Sequence, residues 1–422
     1  MSFETISVIG LGYIGLPTAA MFASRKKKVI GVDVSQHVVD TINRGKIHII
    51  EPELDMIVHA AVTEGYLKAV KSPEPADAFL IAVPTPFKPC PDGEVPEPDL
   101  CYIEAASKAI ALVLKKGDLV ILESTSPVGT TEQMADWLAE IRPDLSFPQQ
   151  NGENSDVNIA HCPERVLPGH VVRELVENDR VIGGMTQRCS KRSVELYKHF
   201  VQGDCVITNA RTAEMAKLTE NSCRDVQIAF ANELSMICDK LNIDVWELIS
   251  LANRHPRINI LQPGPGVGGH CIAVDPWFIV SKTPEYAQII HAARKVNDSK
   301  PEWVINKVKM AVADFLQTNS NKTAKDIIIA CYGLSFKPDI DDLRESPALE
   351  ITRKIAELHA GRIVAVEPNI DQLPLFISNV ELIEFESASN EADIQLLLVD
   401  HKEFKSVLPS NGVIIDTKGI WC

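Results

Sequence analysis

TISVIGLGYIG, residues 5–15, is an apolar run that ends in the glycine pattern G-x-G-x-x-G. An uncharged apolar stretch follows it, and KVIGVD, residues 28–33, forms a second apolar run that ends in an acid. This order of strand, glycine turn, helix, strand and acidic residue is typical of the βαβ unit that binds dinucleotides. We therefore predict an N-terminal Rossmann domain.

The glycines of such a turn have separate tasks. Gly10 permits the tight turn, Gly12 lets the backbone approach a pyrophosphate, and Gly15 lets the helix pack closely on the strand. Asp33 lies where a carboxylate accepts hydrogen bonds from the adenosine ribose and repels a 2′-phosphate, so NAD is favoured over NADP. The predicted cofactor contacts in this unit are Gly10, Gly12, Tyr13, Ile14, Gly15 and Asp33.

Two further predicted strands, 78–83 and 119–123, are each followed by a polar turn. Ligands of open parallel sheets bind beyond the carboxyl ends of the strands, so we predict that Thr85, Thr125 and Thr131 contact the cofactor. Ordinary turn and helix-cap chemistry explains the same hydroxyl residues equally well.

The rest of the chain divides into a helical part and a second α/β part. Residues 208–242 contain neither Gly nor Pro and carry apolar residues at helical spacing, which predicts a long helix that bridges two domains. Predicted strands at 326–332, 362–366, 394–399 and 413–416, with a helix at 347–359, indicate a second sheet without the glycine pattern. The predicted fold is α/β, with an N-terminal Rossmann dinucleotide-binding domain at 1–205, a helical central domain at 206–310 and a C-terminal Rossmann-like α/β domain at 320–422.

Composition excludes several classes of partner. Lys and Arg number 42 and Asp and Glu 57, so the formal net charge is −15, which argues against general binding of nucleic acid or anionic membrane. The ten cysteines show no C-x-x-C pair or other clustered spacing, so we expect reduced thiols, no metal site and a cytoplasmic location. The apolar run 5–23 has an acid before it and basic residues after it, the reverse of an export signal.

Gly268-Gly269-His270-Cys271 is the most unusual stretch. Glycines beside a cysteine let a substrate come close to the sulfur, and Asp275 would face the same side if a helix begins there. The alternatives are a buried structural cysteine, which is common, and a metal ligand, for which no partner cluster is present.

Lys217 and Asn221 lie one turn apart on the predicted long helix. A lysine beside an amide can hold an oxyanion, but with Glu214 and Glu220 the same spacing describes a solvated charged face. Lys337 and Arg344 follow the first strand of the last domain, where they could meet a diphosphate. Helix capping and surface ion pairs explain them equally well.

With these motifs the chain resembles the UDP-glucose/GDP-mannose dehydrogenase family over essentially its full length. The motifs are 10–17, 124–130, Pro163-Glu164-Arg165, Lys217 with Asn221, Gly268 to Cys271 with Asp275, and 336–338 through 344–346. The form of the 163–169 and 268–275 segments is similar to the N-acetylhexosamine branch of that family.

The resemblance implies an NAD-dependent, four-electron oxidation of a UDP-sugar at C6, with Cys271 as covalent nucleophile. It further implies that Lys217 and Asn221 stabilise oxyanions or shuttle a proton, that Asp275 and Thr125 orient water, and that Glu164 is a candidate base. The implied substrate shell is Arg165, Val166, Lys217, Asn221, Arg224, His255, Arg257, Gly268, Lys337, Pro338, Arg344 and Lys418. A homodimer through the central helix is also expected.

One position departs from the family. UDP-glucose enzymes have a second glutamate four residues after the equivalent of Glu164, and this chain has Pro168 there. A hydrolytic role for two carboxylates is therefore in doubt, and UDP-glucose is disfavoured as substrate. The rival hypotheses are a two-electron dehydrogenase, which would not need Cys271, and a non-catalytic NAD-binding regulator.

Overall fold

The computed structural model describes residues 3–49, 51–91, 93–167, 169–269 and 271–421. The chain forms two compact units, Met1–Glu220 and Asn221–Cys422. Within the described ranges, no helix combines the length and the apolar character needed to cross a membrane.

The first unit is built on an eight-stranded sheet in the order β3-β2-β1-β4-β5-β6-β7-β8. Neighbouring strands are parallel except β6 and β7, which run antiparallel. The strands are β1 (Thr5–Ile9), β2 (Lys28–Val32), β3 (Leu67–Val70), β4 (Ala78–Ile81), β5 (Leu119–Leu122), β6 (Asn158–His161), β7 (Arg180–Gly184) and β8 (Cys205–Asn209). The strand order 3-2-1-4-5-6 is that of a Rossmann domain, so the predicted fold is confirmed.

Helices cover both faces of this sheet, which is why its strands are apolar without alternation. Val8 packs in one apolar core and its neighbour Ile9 in the other. The helices are α1 (Gly15–Ser24), α2 (Gln36–Asn43), α3 (Leu54–Thr63), α4 (Cys101–Ala111), α5 (Thr130–Ile141), α6 (Pro148–Asn151), α7 (Val171–Glu177) and α8 (Gln187–Tyr197).

The predicted long helix is present as α9 (Ala210–Leu241), and the boundary between the units falls within it, after Glu220. It is followed by α10 (Val245–Ala252), α11 (Asp275–Lys282) and α12 (Gln288–Thr318). The sequence did not predict α12, because Pro301 lies inside it and proline normally ends a helix. The apolar side chains Val304, Ile305 and Val308 pack α12 into the core of the second sheet, and this burial outweighs the lost hydrogen bond.

The second sheet is fully parallel, in the order β11-β10-β9-β12-β13. Its elements are β9 (Ile329–Tyr332), α13 (Pro347–Leu358), β10 (Ile363–Val366), β11 (Val380–Leu382), α14 (Phe385–Glu391), β12 (Ile394–Leu397) and β13 (Val413–Asp416). The predicted strand at 326–332 was three residues too long, because Asp326 ends a 3-10 turn and its carboxylate accepts hydrogen bonds from Thr323.

A buried polar network joins α9 to α12 in the second unit. The Arg294 guanidinium donates to Asp225 Oδ1 at 2.6 Å, and the Asn297 amide donates to the same oxygen at 2.8 Å. Asn297 in turn accepts from Asn232 (2.9 Å), whose amide oxygen accepts the N–H of Gly264. These bonds position the loop at 261–266 against the two long helices.

We predict that Asp225→Ala destabilises the second unit by roughly 1–3 kcal/mol, because it removes the buried acceptor of Arg294 Nη1 and of the Asn297 amide, while Arg294 keeps its pair with Asp298. Asp239→Ala is the matched control, since it breaks the partly exposed Lys307–Asp239 pair between the same two helices and should cost about 0–1 kcal/mol. Urea unfolding followed by tryptophan fluorescence measures both, because four of the five tryptophans lie in this unit. Equal losses in the two variants would contradict the prediction.

Candidate active site

The glycine turn after β1 has the three features expected of a dinucleotide site. Gly10 has a φ of +89°, which favours glycine. A Cβ built on Gly15 would lie 1.8 Å from the Gly10 carbonyl oxygen, so no larger residue allows α1 to approach β1 in this way. A Cβ on Gly12 would meet no described atom within 4 Å, which leaves space beside the backbone for a pyrophosphate. Tyr13 is exposed and Ile14 is half-buried beside it.

Asp33 follows β2, and the glycine turn fixes its carboxylate. Its Oδ2 accepts the N–H of Leu11 at 3.1 Å and its Oδ1 accepts the N–H of Ser35 at 2.9 Å. The side chain remains half-buried. It therefore lies beside the turn with lone pairs to offer, as the ribose contact requires.

Hydroxyl groups line the carboxyl edge of the first sheet. The Oγ atoms of Thr85 and Ser126 are buried, and neither has a hydrogen-bond partner within the described ranges. Thr125 is half-buried in the same turn. Buried hydroxyls without partners are costly, so this edge fits a polar ligand that supplies the missing bonds.

The predicted contact Thr131 is placed differently. It is fully buried, and its hydroxyl donates to Glu214 Oε1 at 2.6 Å. Glu214 also accepts the N–H groups of Gly129 and Thr131, so it caps the start of α5. The charged-face alternative is therefore wrong for Glu214, whose pKa is raised by burial. Lys217, one turn further on α9, is half-buried.

Glu164 lies after β6 and is nearly buried. Its Oε1 accepts the N–H of Arg165 at 2.6 Å and its Oε2 accepts from the Arg180 guanidinium at 2.9 Å. The Arg165 side chain pairs through two nitrogens with Glu220 on α9, at 3.0 and 2.7 Å. Val166 is half-buried in the same loop.

Glu51 holds the far end of this loop. Its carboxylate accepts the N–H groups of Gly169 and Val171, at 3.0 and 2.8 Å. The bonds join residues about 120 apart in the chain, and no local pattern indicated them. Pro168, the departure from the family, lies outside the described residues.

Cys271 is exposed in the second unit, so the alternative of a buried structural cysteine is wrong. The preceding glycines pack closely against the C-terminal α/β region. A Cβ on Gly268 would lie 2.5 Å from the Glu345 carbonyl oxygen, and one on Gly269 would lie 3.2 Å from the Phe336 ring. These glycines therefore let the cysteine loop lie against that region. The sequence did not predict this packing role for them. His270 lies outside the described residues.

Asp275 begins α11, four residues after Cys271, as the sequence suggested. Its N–H donates to the Cys271 carbonyl oxygen at 2.8 Å, and its side chain is buried. The Asn221 amide donates to Asp275 Oδ2 at 2.5 Å. Asn221 on α9 and the cysteine turn are thus directly connected through this carboxylate.

A cavity of about 330 Å³ lies in the second unit, close to the same loop. Its lining combines turns rich in apolar and proline residues with two cations, Arg224 from α9 and Lys418 near the C-terminus. Lys418 Nζ lies 3.1 Å from Asp400 Oδ1. The remaining lining residues include Leu261 to Gly266, Ser335, Phe336, Pro338 and Pro347.

Three of the twelve predicted substrate contacts, Arg224, Pro338 and Lys418, line this cavity, and the other nine do not. Lys337, His255 and Arg257 are exposed, and the N–H of Arg257 donates to His255 Nδ1. Arg344 is exposed and its guanidinium binds Asp342 through two nitrogens. Their predicted roles stay predictions.

In the second sheet an acid, Glu367, follows the second strand as Asp33 does in the first sheet, but its carboxylate is buried. Glu367 follows β10, and its Oε2 accepts the N–H groups of Leu334 and Ser335 and lies 3.0 Å from His401 Nε2. Both side chains are fully buried. This carboxylate is fully buried in its own turn, whereas Asp33 remains half-buried.

The chain matches one protein family over most of its length. Three family models match in order: the NAD binding domain of the UDP-glucose/GDP-mannose dehydrogenase family at residues 4–201, its central domain at 211–299 and its UDP binding domain at 330–422. The UDP-N-acetyl-D-mannosamine dehydrogenase of Yersinia pestis is 67% identical over 425 residues, covering 100% of both chains. An NDP-N-acetyl-D-galactosaminuronic acid dehydrogenase of Ralstonia nicotianae is 62% identical over 424 residues, covering 100% of this chain and 97% of that protein.

A solved structure gives the same result. The UDP-D-ManNAc dehydrogenase of Pyrococcus horikoshii matches with a TM-score of 0.84 and 38% identity, covering 99% of this chain and 96% of that one. The order of the three matched regions follows the order of the glycine turn, the long helix and the second sheet. The chain belongs to the UDP-glucose/GDP-mannose dehydrogenase family.

Proposed function

We propose that this protein oxidises UDP-N-acetyl-D-mannosamine at C6 to UDP-N-acetyl-D-mannosaminuronate, with reduction of two NAD per substrate. The observation that carries the proposal is Cys271, which is exposed on a glycine loop and lies one turn before Asp275, the acceptor of the Asn221 amide. The names of the Yersinia pestis and Pyrococcus horikoshii relatives support the same substrate.

The residues of the first unit fit NAD. Gly10, Gly12, Tyr13, Ile14 and Gly15 would hold the pyrophosphate, Asp33 the adenosine ribose, and Thr85 and Thr125 the rest of the cofactor. The buried Thr131 would act only through its turn, which Glu214 holds. The open side of Gly12 and the unpartnered Thr85 hydroxyl support this assignment. When bound, NAD supplies the hydride acceptor for both oxidations.

Cys271 would carry the substrate between the two oxidations. Its thiolate adds to the C6 aldehyde and forms a thiohemiacetal, and loss of hydride from that carbon leaves a thioester. Water then attacks the thioester carbonyl, the carbon–sulfur bond breaks, and the uronate leaves. A thiol suits this sequence because its thiolate is nucleophilic near neutral pH and is a good leaving group.

The polar residues around this chemistry would each have a limited task. Lys217 and Asn221 stabilise the oxyanions at C6 or shuttle the alcohol proton. Asp275, which accepts from Asn221, orients water together with Thr125. Glu164 takes the proton of the attacking water, and its two engaged oxygens keep its carboxylate in one orientation.

The cavity of the second unit would bind the nucleotide part of the substrate. Pro338 and the neighbouring apolar turns suit a flat base, while Arg224 and Lys418 offer charges to a diphosphate. We retain Arg165, Val166, His255, Arg257, Gly268, Lys337 and Arg344 as further substrate contacts.

The identity of the substrate sugar is the most specific part of the proposal. The Ralstonia nicotianae relative, nearly as similar as the Yersinia pestis one, bears the name of a galactosaminuronic acid enzyme. UDP-N-acetylglucosamine or another nucleotide sugar is therefore the alternative substrate. Because Pro168 replaces an acid of the UDP-glucose enzymes, UDP-glucose is the weakest candidate.

The predicted division at 1–205, 206–310 and 320–422 gives separate regions for NAD, for dimerisation and for the UDP-sugar.

Phe230, Ile237 and Leu241 lie on one face of α9 and are exposed, which supports a homodimer through this helix. Dependence on NAD and on a reduced Cys271 supports a cytoplasmic location.

We predict two NADH per UDP-N-acetylmannosamine for the wild type and no complete turnover for Cys271→Ala. Absorbance at limiting substrate measures the yield, with UDP-N-acetylglucosamine, UDP-N-acetylgalactosamine and UDP-glucose in parallel. Cys223→Ala is a control, because Cys223 is also exposed. One NADH per substrate, or an active Cys271→Ala variant, would leave a two-electron dehydrogenase.

We predict that Lys418→Met raises KM for the UDP-sugar about tenfold or more, because a charge-assisted contact contributes roughly 1.5–3 kcal/mol. Lys405→Met is the matched control: Lys405 also lies near Asp400, at 3.7 Å, but does not line the cavity. Initial rates at saturating NAD measure KM, and binding of UDP alone measures affinity. Similar effects in both variants would remove Lys418 from the site.

We predict that the double variant Phe230→Asp, Ile237→Asp elutes as a monomer of 46.5 kDa, and the wild type at twice that mass. Charges on a buried apolar face oppose association. Light scattering after gel filtration gives the masses. Leu358→Asp, which alters an exposed leucine on α13, should leave the mass unchanged. A monomeric wild type would overturn the assignment.

A further inference from the structure

Three strand ends meet behind Glu164 in the first unit. Glu123 directly follows β5, Glu164 comes shortly after β6, and Arg180 is the first residue of β7. Because β7 runs antiparallel to β6, its first residue lies at the carboxyl edge of the parallel strands. The direction of β7 thus places a cation between two carboxylates.

The two terminal nitrogens of the Arg180 guanidinium face different carboxylates. Its Nη2 donates to Glu164 Oε2 at 2.9 Å, while its Nη1 lies 3.5 Å from Glu123 Oε1. The Tyr197 hydroxyl donates to the same Glu123 oxygen at 2.6 Å, and its ring lies 4.5 Å from the guanidinium carbon. Arg180 is therefore bound more closely to Glu164, while Tyr197 anchors Glu123.

The charges of this cluster do not balance if both acids are ionised. Glu123, Glu164 and Arg180 are 1%, 6% and 5% exposed, so water screens them little. Burial raises the pKa of Glu123 to about 7, against the opposing charge of Arg180. The groups that face Glu123 are Arg180 from β7, Glu164, Tyr197 from α8 and Cys162.

Both oxygens of Glu164 are held, since Oε1 accepts the N–H of Arg165 and Oε2 accepts from Arg180. A base for water needs an ionised, oriented carboxylate. Arg180 provides the orientation, because its planar donors fix the plane of the Glu164 carboxylate.

We propose that Arg180 and Glu123 are positioning residues for thioester hydrolysis: Arg180 holds the Glu164 carboxylate in one orientation, and Glu123 is a second carboxylate that shares the guanidinium. The inference rests on the proposed function, in which Glu164 is the base. In that step a water proton passes to Glu164, the water oxygen bonds to the carbonyl carbon, and sulfur leaves as the Cys271 thiolate. The acid product releases its remaining proton to solvent, and Glu123 balances the charge of Arg180 while Glu164 is neutral.

The test separates hydrolysis from the oxidations that precede it. Wild type, Arg180→Gln, Arg180→Lys and Glu164→Gln are mixed with excess NAD and substrate, and NADH is followed through the first turnover. For Arg180→Gln we expect a burst of two NADH per site, then a steady state about 100-fold slower, as for loss of one catalytic donor. Mass spectrometry after an acid quench should show the acyl group on Cys271, and Arg180→Lys should restore part of the rate.

Two controls separate positioning from general damage. Arg173→Gln removes an exposed arginine paired with Glu177 on α7 and should behave as wild type. The double variant Arg180→Gln, Glu164→Gln should be no slower than either single variant, since the two residues act as one unit. The melting temperature and the KM for NAD should stay near wild type in Arg180→Lys.

Glu123→Gln tests the second carboxylate separately. We expect the wild-type hydrolysis rate to show an inflection near pH 7, where Glu123 ionises, and the variant to lack it. An Arg180→Lys variant that hydrolyses like wild type, a loss of the NADH burst in parallel with the steady-state rate, or an unchanged pH profile in Glu123→Gln would overturn the inference. If the wild type itself gives one NADH and no acyl-enzyme, the proposed function fails instead.

Discussion

The contact between α1 and β1 at Gly15 is the constraint on which the first unit depends. The Gly15 Cα lies so close to the Gly10 carbonyl group that a single methyl group would overlap it. This approach lets α1 begin directly at the turn, beside the open space at Gly12. It also brings the turn beside the end of β2, so that Asp33 can accept the N–H of Leu11. The space beside Gly12, the direction of α1 and the position of the Asp33 carboxylate therefore all depend on the absence of a side chain at Gly15.

Buried carboxylates that accept backbone N–H groups are a recurrent device in this protein. Glu51 holds the loop that begins with Glu164, Glu214 holds the turn before α5, and Glu367 holds the turn after β9. Each carboxylate fixes two N–H groups that a loop would otherwise leave to water. Such bonds give irregular segments the rigidity that helices and strands obtain from their own hydrogen bonds. The loops near the proposed reaction are therefore ordered by acids that themselves do no chemistry.

Local features of the sequence predicted much of this architecture. The glycine turn, α9 and four of the five strands of the second sheet are specified by short patterns of glycine, apolar and acidic residues, and these predictions are confirmed, whereas the short β11 was not predicted. The sequence did not indicate α12, because tertiary burial outweighed Pro301. Nor did it indicate Glu51, Glu214 or Arg180, whose partners are set by packing rather than by spacing. Strand direction is equally a tertiary property, so the antiparallel β7 had no local signal.

The direction of β7 shows how a charged residue can reach the ligand-binding edge of a mostly parallel sheet. In a doubly wound sheet, the residues that begin a strand normally lie at the edge remote from the ligand. A parallel β7 of the same five residues would have placed Arg180 about 13 Å away, at that remote edge. Because β7 and β8 run against the other six strands, a rigidly held cation lies at the carboxyl edge of those six. Sheets of this class thus possess a second source of functional residues, the amino ends of their antiparallel strands, which a survey limited to the loops after strands would overlook.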